Sequence, residues 1–255
     1  MAHEALTNHP DLWQERLPRK TVDGHKYDYG HAVIYGAPVL TGATRLAAES
    51  CARMGAGLVT VLANEETANI YRETLKPHIL VRDDLTWDDE RVTARLYGSG
   101  GLSVEPEYKS KRPTVLDADA LQNLPKRLEE NYILTPHEGE FTHAFPDIKG
   151  SKLMRAQQAA QEINAIIVLK GHDTIIAHPE GRVVINDNAP ETLATAGTGD
   201  VFAGMITGLV AGGIEPFWAS CAAAWIHGEA ARRFGVGLVA SDLPDIIPDV
   251  LRDLS

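Results

Sequence analysis

"HAVIYGAPVLTGATRLAAESCARMGAGLVTVLA", residues 31 to 63, is the stretch from which the fold is read. "HAVIYGA" (31–37) is a short apolar run closed by glycine, a strand pattern. "TGATRLAAESCARMGAG" (41–57) follows helical spacing: Leu46, Ala47, Ser50, Cys51 and Met54 share one face, and Gly55 ends the run. "LVTVLA" (58–63) is a second buried-strand pattern. Strand, helix and strand within about thirty residues is the size of one βαβ unit.

The alternation continues outward. "ETANIYRETL" reads as a helix, "ARLYGSG" (94–100) as a strand ending in glycines, and "TVLDADAL" (114–121) as a strand running into acids. "YILTPHEGEF" (132–141) is a strand with a polar turn, "SKLMRAQQAAQEIN" a helix and "AIIVLKG" (165–171) a buried strand. "TIIAHPEGRVVIN" (174–186) breaks the pattern: two β-rich runs flank Pro179-Glu180-Gly181, a hairpin signal. Helices follow at 198–212, 216–234 and 242–254. Upstream, residues 1–30 are polar, and "DLWQERLP" predicts a short helix that packs Leu12, Trp13 and Leu17. The expectation is one layered α/β domain over residues 1–255, with a mostly parallel sheet and a late antiparallel hairpin at an edge.

Length and composition agree with that class. The 255 residues suffice for one large core, and 44% hydrophobic with 23% charged residues is an ordinary globular balance. A net charge of −11 argues against nucleic acid or an anionic membrane surface as a partner. It leaves room for a small anion, which backbone amides bind locally. Cys51 and Cys221 fall inside apolar helical patterns and read as buried free thiols. No signal-peptide pattern or bilayer-length apolar run occurs, so a cytoplasmic location is expected.

In an open parallel sheet, ligands sit beyond the carboxyl ends of the strands. "GAPVLTGA", "GSGGL", "LDADAL", "LTPHEGEF", "LKGHDT" and "TAGTGD" all fall there. No G-x-x-x-x-G-K-[ST] is present, and "GAGLVT" lacks the third glycine of a dinucleotide fingerprint. "ATAGTGD" (194–200) does open a helix, where converging amides and the helix dipole favour an anion. Asp200 in the same turn has two readings: a helix-start acid, or a base for a hydroxyl beside a phosphoryl group. Lys170 in "KGHDT" either reaches a phosphate or ends its strand in solvent, and the amide of Gly171 is a second phosphate contact. His137, Glu138 and Glu140 share a turn without a metal-ligand signature, which favours His137 as a polar substrate contact. Asp117 and Asp119 read either as Mg²⁺ contacts or as turn acids. His3, His9 and His178 read as surface residues.

The order of "HKYDYGHAVIYGAP", "TGATRLAAESCARMGAGLVTV", "LDADAL", "LTPHEGEF", "VLKGHDTIIA" and "LATAGTGDVFAGMITGLVAGG" resembles the ADP/ATP-dependent NAD(P)H-hydrate dehydratase family. The resemblance spans about residues 25 to 250 and is carried most specifically by "TPHEGEF" with "ATAGTGD". It implies a ribokinase-like three-layer α/β/α fold and repair of the S-form of hydrated NADH or NADPH. It also implies ADP or ATP as co-substrate, with Mg²⁺; bacterial relatives mostly use ADP. Asp200 falls at the position of the catalytic base. Lys170, Gly171, His172, Asp173, Thr174 and Gly199 fall at nucleotide positions, and Ala43, Gly100, His137 and Asp200 at hydrate positions. Gly197 and Thr198 complete, with Gly199, the anion hole.

Relatives are often tetramers, so a homo-oligomer is one expectation; many bacterial relatives carry an N-terminal epimerase domain, and as none is seen here the chain is expected to be either a stand-alone dehydratase, with an epimerase encoded separately, or an excised portion. Three details depart from the family pattern. Tyr27 replaces a glycine after His25-Lys26, "GSGGL" stands for G-P-G-L, and "NDNAPETLATAGTGD" replaces Asn-x-x-Gly-Asn around Asn186 and Asn188. The competing readings are a ribokinase-like kinase for a vitamin-precursor alcohol and a non-catalytic adenine-nucleotide sensor.

Overall fold

The computed structural model describes residues 5–254. Ten strands form one sheet: β1 (Leu6–Thr7), β2 (His31–Tyr35), β3 (Leu58–Leu62), β4 (Leu80–Arg82), β5 (Ala94–Tyr97), β6 (Thr114–Leu116), β7 (Tyr132–Leu134), β8 (Ile166–Leu169), β9 (Thr174–Ala177) and β10 (Val183–Asn186). Their order is β1-β10-β9-β8-β7-β6-β5-β2-β3-β4. From β4 to β8 every pair is parallel, and β9 is antiparallel to both β8 and β10. The hairpin turn falls where expected, with the Gly181 amide donating to the His178 carbonyl at φ +96° for the glycine. The hairpin is not the edge, however. β1 pairs parallel to β10, Leu6 opposite Val184 and Thr7 opposite Ile185. Two residues carry no readable alternation, and their pairing comes from the tertiary context instead.

Seven α-helices cover the sheet: α1 (Thr41–Arg53), α2 (Glu65–Thr74), α3 (Glu138–Ala144), α4 (Lys152–Ile163), α5 (Thr198–Ala211), α6 (Pro216–Phe234) and α7 (Leu243–Asp253). Strand side chains alternate between two cores. Ala32 and Ile34 of β2 join the core shared with α1, α2, α5, α6 and α7. Val33 and Tyr35 join the one shared with Phe141 of α3 and Ala156, Ala159, Ala160 and Ile163 of α4. This is the expected three-layer α/β/α arrangement. The alanine-rich stretch of α6 is core: Ala219, Ala222, Ala223, Ala230 and Ala231 are all buried. Cys51 and Cys221 are buried free thiols. Among the described residues no helix is long and apolar enough to cross a membrane.

The closest helix contact positions the site. A side-chain carbon on Gly204 or Gly208 of α5 would strike the backbone carbonyls of Ala47 and Cys51 in α1. Glycine at these two positions lets the helices touch, and the Ser50 hydroxyl can donate across to Val201 O of α5 (3.0 Å) or back to Leu46 O of its own helix (2.7 Å). The start of α5 is thereby held against the start of α1.

Two local expectations are corrected. "DLWQERLP" forms two 3₁₀ turns, Pro10–Leu12 and Gln14–Arg16, and not one α-helix. Trp13 between them leaves helical geometry and is buried, its indole N–H donating to Asn8 Oδ1 at 3.0 Å. Leu12 and Leu17 pack against the same core, as expected. His178 is not a surface residue: it is buried, edge-on to Phe217 with ring centres 5.6 Å apart. His9 is exposed, and His3 lies outside the described residues.

Candidate active site

The polar strand ends converge at one edge of the sheet, against the first turn of α5. Gly197 caps that helix with φ +92°, a conformation that glycine adopts without strain. A Cβ there would come 2.7 Å from Leu46 Cδ1 and 2.9 Å from Ala240 Cβ. The Thr198 hydroxyl is turned away into the preceding loop, donating to Leu193 O (2.9 Å) or Thr195 O (3.0 Å). What the helix start offers outward is therefore its backbone amides, which have no intrahelical acceptor.

Asp200 is half-buried in that first turn, and its pKa is raised to about 6. Burial is the main cause and the neighbouring Asp117 adds to it, while Lys170 and the Ser99 hydroxyl pull the other way. Asp117, at the tip of β6, is buried and heavily bonded. It accepts from Lys170 Nζ (3.0 Å), Thr135 Oγ1 (2.7 Å) and Ser99 Oγ (3.2 Å). Burial opposes the charge of Lys170, but Asp117, Glu140 and Asp200 outweigh it and hold its pKa above the ordinary lysine value. A Cβ on Gly199 would lie 3.4 Å from Lys170 Nζ, so the ammonium stands beside the helix start.

Two cavities of about 460 Å³ each open at this edge. One is lined by Lys170, Gly171, His172, Thr174, Thr198 and Gly199, with Phe202, Asn186, Pro190 and His227. It thus gathers all the expected nucleotide residues except Asp173, which is turned to Lys152 (2.9 Å). The other is lined by His137, Glu140, His143, Asp119 and Gln122. Lys170 joins them: it borders the first and lies 3.9 Å from Glu140 of the second. Gly100 and Ala43 meet directly, since a Cβ on Gly100 would lie 2.7 Å from Ala43 Cβ and 2.5 Å from Leu40 O.

His137 is the N-cap of α3. Its Nδ1 accepts from the amides of Gly139 (3.0 Å) and Glu140 (3.2 Å), and Glu140 Oε2 accepts from the His137 amide (2.7 Å). Nε2 of this exposed ring lies 3.4 Å from Glu140 Oε1. Asp117 and Asp119 are both engaged by protein groups. Asp117 is spent as above, and Asp119 Oδ1 accepts from Gln122 (2.9 Å). Among the described residues no three His, Cys, Asp or Glu side chains are placed to hold a metal ion.

Several contributors are set by contacts that the sequence does not show. Asn186 is positioned by a buried amide chain: Asn8 Nδ2 donates to Asn186 Oδ1 (2.8 Å), and Asn186 Nδ2 to Asn188 Oδ1 (2.9 Å). Asn8 also donates to the Cys221 carbonyl (2.7 Å). Ser99 and Thr135 hold Asp117, and only their strand-end positions hinted at it. His227 sits inside the apolar pattern of α6, which hides it among core residues.

The three-layer sheet with a glycine-led helix at its edge is a ribokinase-like fold. An Enterococcus faecalis ribokinase-like superfamily protein superposes with a TM-score of 0.87 at 21% identity, over 99% of both chains, which speaks for the fold. The profile of the NAD(P)H-hydrate dehydratase family matches residues 31–249, and the chain belongs to that family. A bifunctional NAD(P)H-hydrate repair enzyme of Moorella thermoacetica is 36% identical over 94% of this chain and 53% of its own length. An ADP-dependent (S)-NAD(P)H-hydrate dehydratase of Neisseria meningitidis is 33% identical over 87% of this chain and 84% of its own. The crystal structure of the ADP/ATP-dependent NAD(P)H-hydrate dehydratase of Bacillus subtilis, grown with ATP/Mg²⁺, has a TM-score of 0.88 at 28% identity over all of both chains. The chain spans about half the length of the bifunctional relatives it matches.

Proposed function

We propose that this protein dehydrates the S-form of hydrated NADH or NADPH back to the intact cofactor, consuming ADP, or ATP in its place. The observation that carries the reading is Asp200: a half-buried acid with its pKa near 6, in the same helical turn as the outward amides of Gly197, Thr198 and Gly199. A base poised near neutral pH suits proton abstraction, and preorganised amides suit a phosphoryl group in transit.

In this reading the nucleotide fills the cavity of Lys170, Gly171, His172, Thr174 and Gly199, with Asp173 at its rim. The hydrate approaches from the side of His137, Gly100 and Ala43. Asp200 takes the proton from the hydrate's ring hydroxyl, and that oxygen bonds to the terminal phosphorus as its bond to the leaving nucleotide breaks. ADP departs as AMP. The ester's C–O bond then breaks, inorganic phosphate leaves and the adjacent C–H proton is lost, which restores the ring double bond. Lys170 and the helix-start amides balance the phosphoryl charge throughout. Mg²⁺ bound together with the nucleotide would supply charge neutralisation for the phosphoryl group, and the chain's own residues carry the positioning and the proton. An epimerase activity would supply the S-form, and a homo-oligomer is the expected assembly.

The test is recovery of NADH absorbance from NADH hydrate with Mg²⁺ and either ADP or ATP. Recovery with AMP and phosphate in equal amounts is the expected result. Nucleotide binding without recovery would overturn the reading, and a stable phosphoester of a vitamin-precursor alcohol would replace it with a kinase.

A further inference from the structure

Residues 98–102 read "GSGGL" where the family pattern is Gly-Pro-Gly-Leu, and the departure places a hydroxyl at Ser99. The loop that carries it is wedged on both sides. A Cβ on Gly98 would come 1.9 Å from Asp117 O, and one on Gly100 would come 2.5 Å from Leu40 O. Both glycines take positive φ, +101° and +83°, and the Gly101 amide closes the turn by donating to Gly98 O (2.9 Å). The Thr44 hydroxyl accepts from the Ala37 amide (2.9 Å) and donates to the Ser99 carbonyl (3.3 Å). Ser99 is only 1% exposed, so its hydroxyl is held just past the tip of β5, among the acids of the site.

That hydroxyl has one proton and two carboxylates within reach. It donates to Asp117 Oδ2 at 3.2 Å, a long O–H···O bond, and it also bonds Asp200, whose charged form it favours. Asp117 has other support, since Lys170 Nζ (3.0 Å) and Thr135 Oγ1 (2.7 Å) donate to its Oδ1. The remaining charged groups that face Asp200 act through space: Asp117 and Glu140 favour its protonated form and Lys170 its charged form. A hydrogen bond to an unmatched carboxylate is stronger than one to a carboxylate already paired with a cation, so the hydroxyl follows the charge on Asp200.

We propose that Ser99 is a positioning residue for the base: when Asp200 ionises, the Ser99 hydroxyl turns from Asp117 to Asp200 and holds one carboxylate oxygen, leaving the other aimed at the hydrate. This deepens the reading in which Asp200 abstracts the hydrate's proton, and rests on it. Ser99 acts through Asp200 and keeps its own proton throughout.

A pH profile of kcat with NADH hydrate, ADP and Mg²⁺ tests the proposal. In Ser99→Ala the acidic limb should move up from about 6 by about half a unit to one unit, and kcat above the limb should fall by about tenfold, each one hydrogen bond's worth. Ser99→Thr keeps the hydroxyl and should hold the limb near 6. Asp117→Asn removes a like charge and should move the limb down, the opposite direction, which a general loosening of the site would not do. Ser99→Cys, a weak donor of nearly the same size, replaces the alanine variant if that one does not fold. A limb that stays in place without the hydroxyl, or that rises equally in Ser99→Thr, would overturn the assignment. Carboxyl ¹³C titration of Asp200 reads the same shift without turnover, and an unmoved titration in Ser99→Ala would also overturn it. Failure of the unaltered protein to restore NADH would overturn the functional reading, while the ¹³C titration still decides whether Ser99 bonds Asp200.

Discussion

Lys170 at the tip of β8 donates to Asp117 at the tip of β6 across 3.0 Å, spanning β7 between them. The pair divides the acids of the site. Asp117 is matched by a cation and two hydroxyls, whereas Asp200 is half-buried beside it and pushed toward neutrality. Two carboxylates in one site thus take different roles because their surroundings differ.

Turnover should rise with pH through about 6, as Asp200 loses its proton and becomes able to act as a base. A pH profile of kcat in the unaltered protein checks the limb. Asp200→Asn should lower turnover by about 10²–10⁴-fold, the usual worth of a general base, with ADP affinity largely retained. Turnover within a few-fold of the unaltered protein would remove Asp200 as base.

Stability should move the opposite way. The pKa of Asp200 is higher folded than unfolded, so the folded state binds more protons between about pH 4 and 6 and loses stability as pH rises through that window. Above it the ionised carboxylate costs up to about 3 kcal/mol. Asp200→Asn should therefore raise Tm at pH 8 and change it little at pH 4. Equal effects at both pH values would show that charge is not the cause.

His137 does two jobs that substitution can separate. His137→Ala loses the cap of α3 and should cost about 1 kcal/mol, whereas His137→Asn restores a capping oxygen. If Nε2 meets the hydrate, both variants should raise KM for it by about fivefold while only the alanine variant melts earlier. A normal KM in His137→Asn would leave His137 as a cap alone.

Asn8→Ala should destabilise the fold by about 2–4 kcal/mol, since it strands the Trp13 indole N–H, the Asn186 amide oxygen and the Cys221 carbonyl. It should also weaken ADP binding through Asn186 while leaving the pH limb near 6 in place. Denaturant titration and calorimetry read the two effects.

Residues 31–63 announce the βαβ unit because helix and strand periods alternate over long, apolar runs, and the Pro179-Glu180-Gly181 turn is local chemistry. The strand-end loops are legible for the same reason: glycine and acid stand out after apolar strands. Gly100 and Ala43 were grouped through family likeness, and their contact is a feature of the fold that spacing alone does not predict. Other features had no local signature. β1 is two residues long, Asn8 and Asn186 are 178 positions apart, and His227 and His178 differ from surface histidines only in what packs around them. Asp117 offered two readings, and it was Lys170, brought in by the fold, that settled what its carboxylate touches.

The pairing of β1 with β10 also sets an order of events in time. Leu6 meets Val184 only after nearly three quarters of the chain has been made, so closing this strand pair carries a large entropic toll and belongs to the slow part of folding. Asn186 is held from one side by Asn8 and from the other by Asn188, itself tied to the Trp225 carbonyl, so this wall of the cavity is complete only when segments from both ends of the described chain have met.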